Sequence, residues 1–101
     1  MVIAVVVGSV IASQKTASMD GLSLRIVRRV APDGKLTDSY LVAIDAVGAA
    51  TGEYVMVASG STARQTNLTD TKPVDAIIMA VVDTWQIKSQ VIYEKSVAEN
   101  I

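Results

Sequence analysis

The chain has 101 residues, half of them hydrophobic and 19% charged, with nine basic against ten acidic side chains and a net charge of -1. That describes one folded domain with a single core, and its charge exerts no general pull on nucleic acid or anionic lipid. Cysteine and histidine are both absent, which removes disulfides, thiol nucleophiles, thiolate metal sites and the usual proton shuttle.

The N-terminal run MVIAVVVGSVIAS is apolar, but no positive charge precedes it and it is shorter than the roughly 20 residues of a bilayer span. It reads as a buried strand of a cytoplasmic protein. Gly8, in its middle, marks a bend or bulge such as a small barrel needs to turn a corner. After the polar SQKTASMDG, the segment LSLRIVRRV puts Leu22, Leu24 and Ile26 on one face and Ser23 and Arg25 on the other. The alternation slips at Val27, which predicts a bulge or a second partly buried face.

APDGK supplies turn chemistry through Pro32, Asp33 and Gly34. Two further strands, YLVAIDAV and EYVMVAS, are joined by the small-residue loop around residues 46 to 52. Gly60 breaks the pattern, and Ser61 or Thr62 caps a short helix through ARQTN. TKPV ends that excursion because proline cannot pair inside a sheet. VDAIIMAVVDTW reads as one long apolar strand, QVIYEK as a last short one, and SVAENI as a tail. With five or six short strands, one small helix and no crossover helix, the predicted fold is all-β: a small closed barrel of about five strands, OB-like and mostly antiparallel. The barrel domain is placed at residues 1–95 and the tail at 96–101.

Candidate chemistry is sparse. Gly48 and Gly52 do not form a P-loop, because no Lys-Ser/Thr follows them; a tight connection or close contact between chains is the plainer use. Ser61, Thr62 and Arg64 suit an interface, a helix cap or an anion. Asp45, Asp75 and Asp83 lie in or beside apolar strands. Nothing else expected of an acid/base site accompanies them, so turns, caps or interfacial salt bridges are the expectation. Arg25, Arg28 and Arg29 form the basic cluster, but with three tyrosines, one tryptophan and no phenylalanine in the chain there are few aromatics to stack bases beside it. Trp85 reads as a packing or interface anchor. No metal ligand set and no cofactor site emerge.

As a set, LVAIDAVGAATGEYVMVASGSTARQ and PVDAIIMAVVD, with VVVGSVIAS, LSLRIV and QVIYEK around them, resemble the microcompartment vertex proteins. These are the small pentamer-forming shell subunits of carboxysomes and of ethanolamine- or propanediol-type metabolosomes, and the likeness covers nearly the whole chain. The resemblance implies a five-stranded barrel with a small helix, no enzymatic activity, and five copies plugging the five-fold corners of a polyhedral shell. It further implies hexameric and trimeric shell proteins as partners, with neither nucleic acid nor membrane involved.

Carried onto this sequence, Gly48, Ala49, Ala50, Thr51 and Gly52 form the glycine-alanine loop, with Ala50 where glycine is commoner. Gly60, Ser61, Ala63 and Arg64 fill the Gly-Ser-Ser-Ala-Arg motif, with Thr62 for its second serine, and Pro73, Val74, Asp75 and Asp83 complete the pattern. The resemblance assigns Gly48 to Gly52, Gly60, Ser61, Thr62, Arg64, Asp75 and Asp83 to the subunit interface or pore loop. The alternative that the residues leave open is an OB-like barrel binding single-stranded nucleic acid or a small anionic metabolite.

Overall fold

The computed structural model describes residues 1–60 and 75–98. Five strands close a barrel: β1 (Val2–Val10), β2 (Leu24–Val30), β3 (Leu36–Asp45), β4 (Tyr54–Ser59) and β5 (Ala76–Val81), in the order β1-β2-β3-β5-β4 with β4 returning to β1. Neighbours run antiparallel except β3 and β5, whose parallel pairing rests on Ile44 opposite Ile77 and Asp45 opposite Ile78. The all-β closed barrel expected from the strand pattern is the observed architecture.

The bend expected at Gly8 is a bulge in β1. Val6 faces Val27 and Gly8 faces Ile26, so Val7 is the extra residue. The slip in alternation read at Val27 is thus carried by the opposing strand, which gains a residue while β2 continues in register there. Ala4, Val6, Val27, Ala43, Val55, Val57, Ala76 and Ile78 are buried together and fill the barrel. The inward face of β2 is therefore the one that carries Arg25 and Val27, while Leu24 and Ile26 turn outward. Outside the barrel, Ile44, Ala58 and Ile77 form a second buried cluster against Leu22 and Leu24.

VDAIIMAVVDTW is not one strand. β5 ends at Val81, and a separate hairpin follows, β6 (Thr84–Ile87) and β7 (Gln90–Glu94). Val82 N donates to the Tyr54 carbonyl, which extends the β4–β5 ladder by one residue, and the chain then turns away, with Lys95 N donating to the Asp83 carbonyl, each bond at 2.8 Å. One helical turn, α1 (Lys95–Ala98), follows the hairpin where the sequence suggested a tail. The helix expected through residues 63 to 67 lies outside the described residues.

Candidate functional site

β3 ends on a carboxylate that organises everything after it. Asp45 has a side chain only 2% exposed, and its two oxygens accept four hydrogen bonds. Oδ1 takes Val47 N at 3.0 Å and Gly48 N at 2.9 Å; Oδ2 takes Ala49 N at 2.9 Å and Arg25 Nε at 3.4 Å. Burial alone raises its pKa, but the donors from Val47, Ala49, Gly48 and Arg25 outweigh burial and hold it below the ordinary value.

The rest of the loop is tied as closely. Ala50 N donates to Glu53 Oε1 at 2.7 Å, and Gly52 N to the Val6 carbonyl at 2.8 Å. Gly48 and Gly52 have φ of 78° and 93°, a left-handed backbone that glycine adopts without strain. Lys95 Nζ donates to Glu53 Oε2 at 2.6 Å, so one carboxylate links the loop to α1. The bond from Ala50 N and then that from Lys95 hold the Glu53 pKa below its usual value.

The loop is therefore a fixed platform on the barrel's own end. Ala49 is buried in the core of its own chain, so the small side chain there is required intramolecularly. Gly48, Ala50, Thr51 and Gly52 are exposed and present mostly backbone to the outside. Asp45 behaves as the turn-forming residue expected of it, although its place beneath the loop is tertiary information. Glu53 stands three residues after Ala50, a spacing that suits a turn acceptor, whereas Lys95 carries no local signal for its part.

The other expected residues do not converge on one site. Asp75 precedes β5 and Asp83 follows it, both exposed, so a six-residue strand of about 20 Å separates them. That distance rules out shared proton chemistry between the two. Gly60 N donates to the Asp75 carbonyl at 2.8 Å, which closes the base of the segment between them. Ser61, Thr62 and Arg64, with Ala63, Pro73 and Val74, lie outside the described residues. Among the described residues, no group of three acidic side chains is placed to hold a metal ion.

The three arginines do not make one basic patch. Arg25 reaches Asp45 and the Ser9 hydroxyl at the barrel mouth. Arg28, on the outer face, donates to the Thr37 carbonyl at 2.6 Å, lies 3.6 Å from Asp38 and stands over the Tyr40 ring at 5.5 Å. The aromatics are also committed. Tyr54, Trp85 and Tyr93 pack on one another with centroids 4.3 to 5.9 Å apart. Trp85 Nε1 donates to the Pro32 carbonyl at 2.9 Å, so it is the packing anchor expected of it. A base-stacking groove needs free rings beside free cations, and here Arg25, Arg28, Tyr54, Trp85 and Tyr93 are engaged within the chain, while Arg29 is exposed.

Comparison with known proteins gives concordant results. The family described as "Ethanolamine utilisation protein EutN/carboxysome" matches residues 1–83. The carboxysome shell vertex protein CcmL of Nostoc sp. is 40% identical over 96 residues, spanning 94% of this chain and 95% of its own. Among solved structures, CcmL of Gloeobacter violaceus superposes with a TM-score of 0.92 at 35% identity, over 95% of this chain and 99% of its own. The pentameric microcompartment shell protein GrpN from Rhodospirillum rubrum superposes with a TM-score of 0.79 at 34% identity, over 86% of this chain and 99% of its own.

Proposed function

The chain belongs to the EutN/CcmL family of shell vertex proteins, and from that premise we propose that five copies close into a ring that fills the five-fold corners of a bacterial microcompartment shell. The observation that carries this reading is the superposition on shell proteins of that kind, over 95% and 86% of this chain and 99% of each of theirs. The work such a protein does is geometric. Tiles with six-fold symmetry make a flat sheet, and a five-fold unit in that sheet forces it to curve and close.

The residues fit a structural role. Asp45, the buried charged side chain among the described residues, is fully engaged by its own loop and is not poised for proton transfer. The platform it holds offers exposed backbone at Gly48, Ala50, Thr51 and Gly52, and we assign that surface to the ring's inner contact or pore rim. Flat six-fold and three-fold shell tiles are the partners that the ring's outer edge would meet, through complementary surfaces rather than a catalytic pocket.

Shell closure tests the proposal. In a host lacking every vertex paralogue, shells seen by electron microscopy should be open or elongated, and supplying this chain should restore closed polyhedra. Closed polyhedra of normal size without any vertex protein would refute it.

A further inference from the structure

The loop at residues 46 to 52 is held in two parts by two carboxylates. Asp45 takes the N–H groups of Val47, Gly48 and Ala49. Glu53 holds the other part: its Oε1 accepts from Ala50 N at 2.7 Å, and its own N–H donates to the Ala50 carbonyl at 3.1 Å. The two supports are unequal, because the Asp45 side chain is 2% exposed and that of Glu53 23%. A glutamate near solvent has several side-chain torsions to fix and little burial to fix them. A bond to one N–H alone therefore holds its carboxylate weakly.

The Glu53 backbone is fastened to β1, since Val6 N donates to its carbonyl at 3.0 Å. What that leaves to be fixed is the side chain, and Lys95 fixes it. Lys95 Nζ donates at 2.6 Å to Oε2, the oxygen that Ala50 does not use, in a charge-assisted bond. The ammonium also offsets the repulsion between Glu53 and Asp45, two negative charges beneath one short loop. Lys95 stands 42 residues from Glu53. It is the first residue of α1, beyond residue 83, where the family match ends. The hairpin sets its position: Lys95 N donates to the Asp83 carbonyl, Thr84 pairs with Glu94, and Trp85 and Tyr93 are seated on Tyr54.

We propose that Lys95 is a positioning residue for the exposed part of this loop. Acting through Glu53, it makes the backbone presented at Ala50 to Gly52 depend on the docking of the hairpin, while the part held by Asp45 does not. The use of that backbone in a ring rests on the reading given above; the coupling to the hairpin rests on the contacts at Glu53.

Amide hydrogen exchange, followed residue by residue by NMR on the full chain, tests this in the wild type, Lys95→Met, Lys95→Arg, Glu53→Gln and the double variant Lys95→Met with Glu53→Gln. Methionine keeps an apolar stem at a site outside the barrel, so protection in β1 to β5 should be unchanged. Lys95→Met should speed exchange at Ala50 by about three-fold or more and leave Gly48 and Ala49 as they are. Lys95→Arg keeps the charge and should hold Ala50 near the wild-type rate. On the Glu53→Gln background Lys95→Met should add nothing, since its route to the loop is gone. Unchanged exchange at Ala50 in Lys95→Met would overturn the proposal. So would equal acceleration at Gly48, Ala49 and Ala50, which is general loosening, and so would an undiminished effect of Lys95→Met on the Glu53→Gln background. Native mass keeps the two readings apart: a chain that forms no ring would overturn the ring reading, with the exchange pattern still expected as stated.

Discussion

The barrel and the β6–β7 hairpin are held by different means. Every barrel strand has two hydrogen-bonded neighbours, and its end is closed by a buried carboxylate with four donors. Among the described residues, the hairpin strands pair only with each other. The hairpin is fastened to the barrel through the aromatic stack on Tyr54, the Trp85 bond to Pro32 and the close packing of Ile92 on Gly34, where an added Cβ would come within 3.0 Å. A closed sheet resists local opening because no strand can leave without breaking two ladders. A fastened hairpin can loosen while the barrel stays intact. The family match, which ends at residue 83, falls at the junction between the two regions.

The sharpest way to break the contrast is at Asp45. Asp45→Ala leaves three loop N–H groups and the Arg25 guanidinium without their acceptor, and should cost about 3 to 5 kcal/mol in urea unfolding. Asp45→Asn, which keeps the shape and one acceptor oxygen, should cost less. Trp85→Ala comes next, at about 2 kcal/mol for a half-buried aromatic. Its signature should be regional: hydrogen exchange should accelerate in β6 and β7 while β1 to β5 keep their protection. Equal acceleration in both regions would show that the hairpin and barrel unfold as one unit.

Acid tests the carboxylates. Asp45 and Glu53 both have pKa values lowered on folding, so the stability they add is complete above the unfolded values near 4 and is lost as pH falls through the lower folded values. Stability should be level from neutral pH to about 5 and then decline, and Asp45→Asn should flatten that acid limb. Glu53→Gln should change it less, because the Glu53 side chain and its Lys95 partner are each about a quarter exposed. The smallest effect is expected at the hairpin turn, where Lys88 and Ser89 both have positive φ, 50° and 68°. Ser89→Gly relieves that conformation and should stabilise β6–β7 by about 0.5 to 1 kcal/mol, seen as slower exchange in the hairpin alone.

How far the sequence could be read follows from what each signal depends on. The strand period and the glycine in β1 are local, and they gave the barrel and its bend. Which face of β2 points inward was not legible, because the outside of this barrel is as apolar as its inside, so alternation separates the faces without orienting them. Arg25 on the inner face is tolerable only because Asp45, 20 residues on, meets it at the barrel mouth. The end of β5 at Val81 was not legible because no proline or glycine marks it; beyond it the chain pairs instead in the β6–β7 hairpin, with Lys95 N bonded to the Asp83 carbonyl. The turn at Lys88 and Ser89 lacks the asparagine and glycine that advertise such turns, and α1 is too short to show a period. The loop at residues 46 to 52 was conspicuous by composition, yet the carboxylate beneath it and the burial of Ala49 depend on the closed fold.

The central claim is that this chain assembles as a ring of five, and native mass spectrometry of the purified protein over a wide dilution range tests it most directly. The account predicts a dilution-resistant species at five times the 10.6 kDa chain mass. A monomer or dimer at every concentration, or a ring of six, would contradict it.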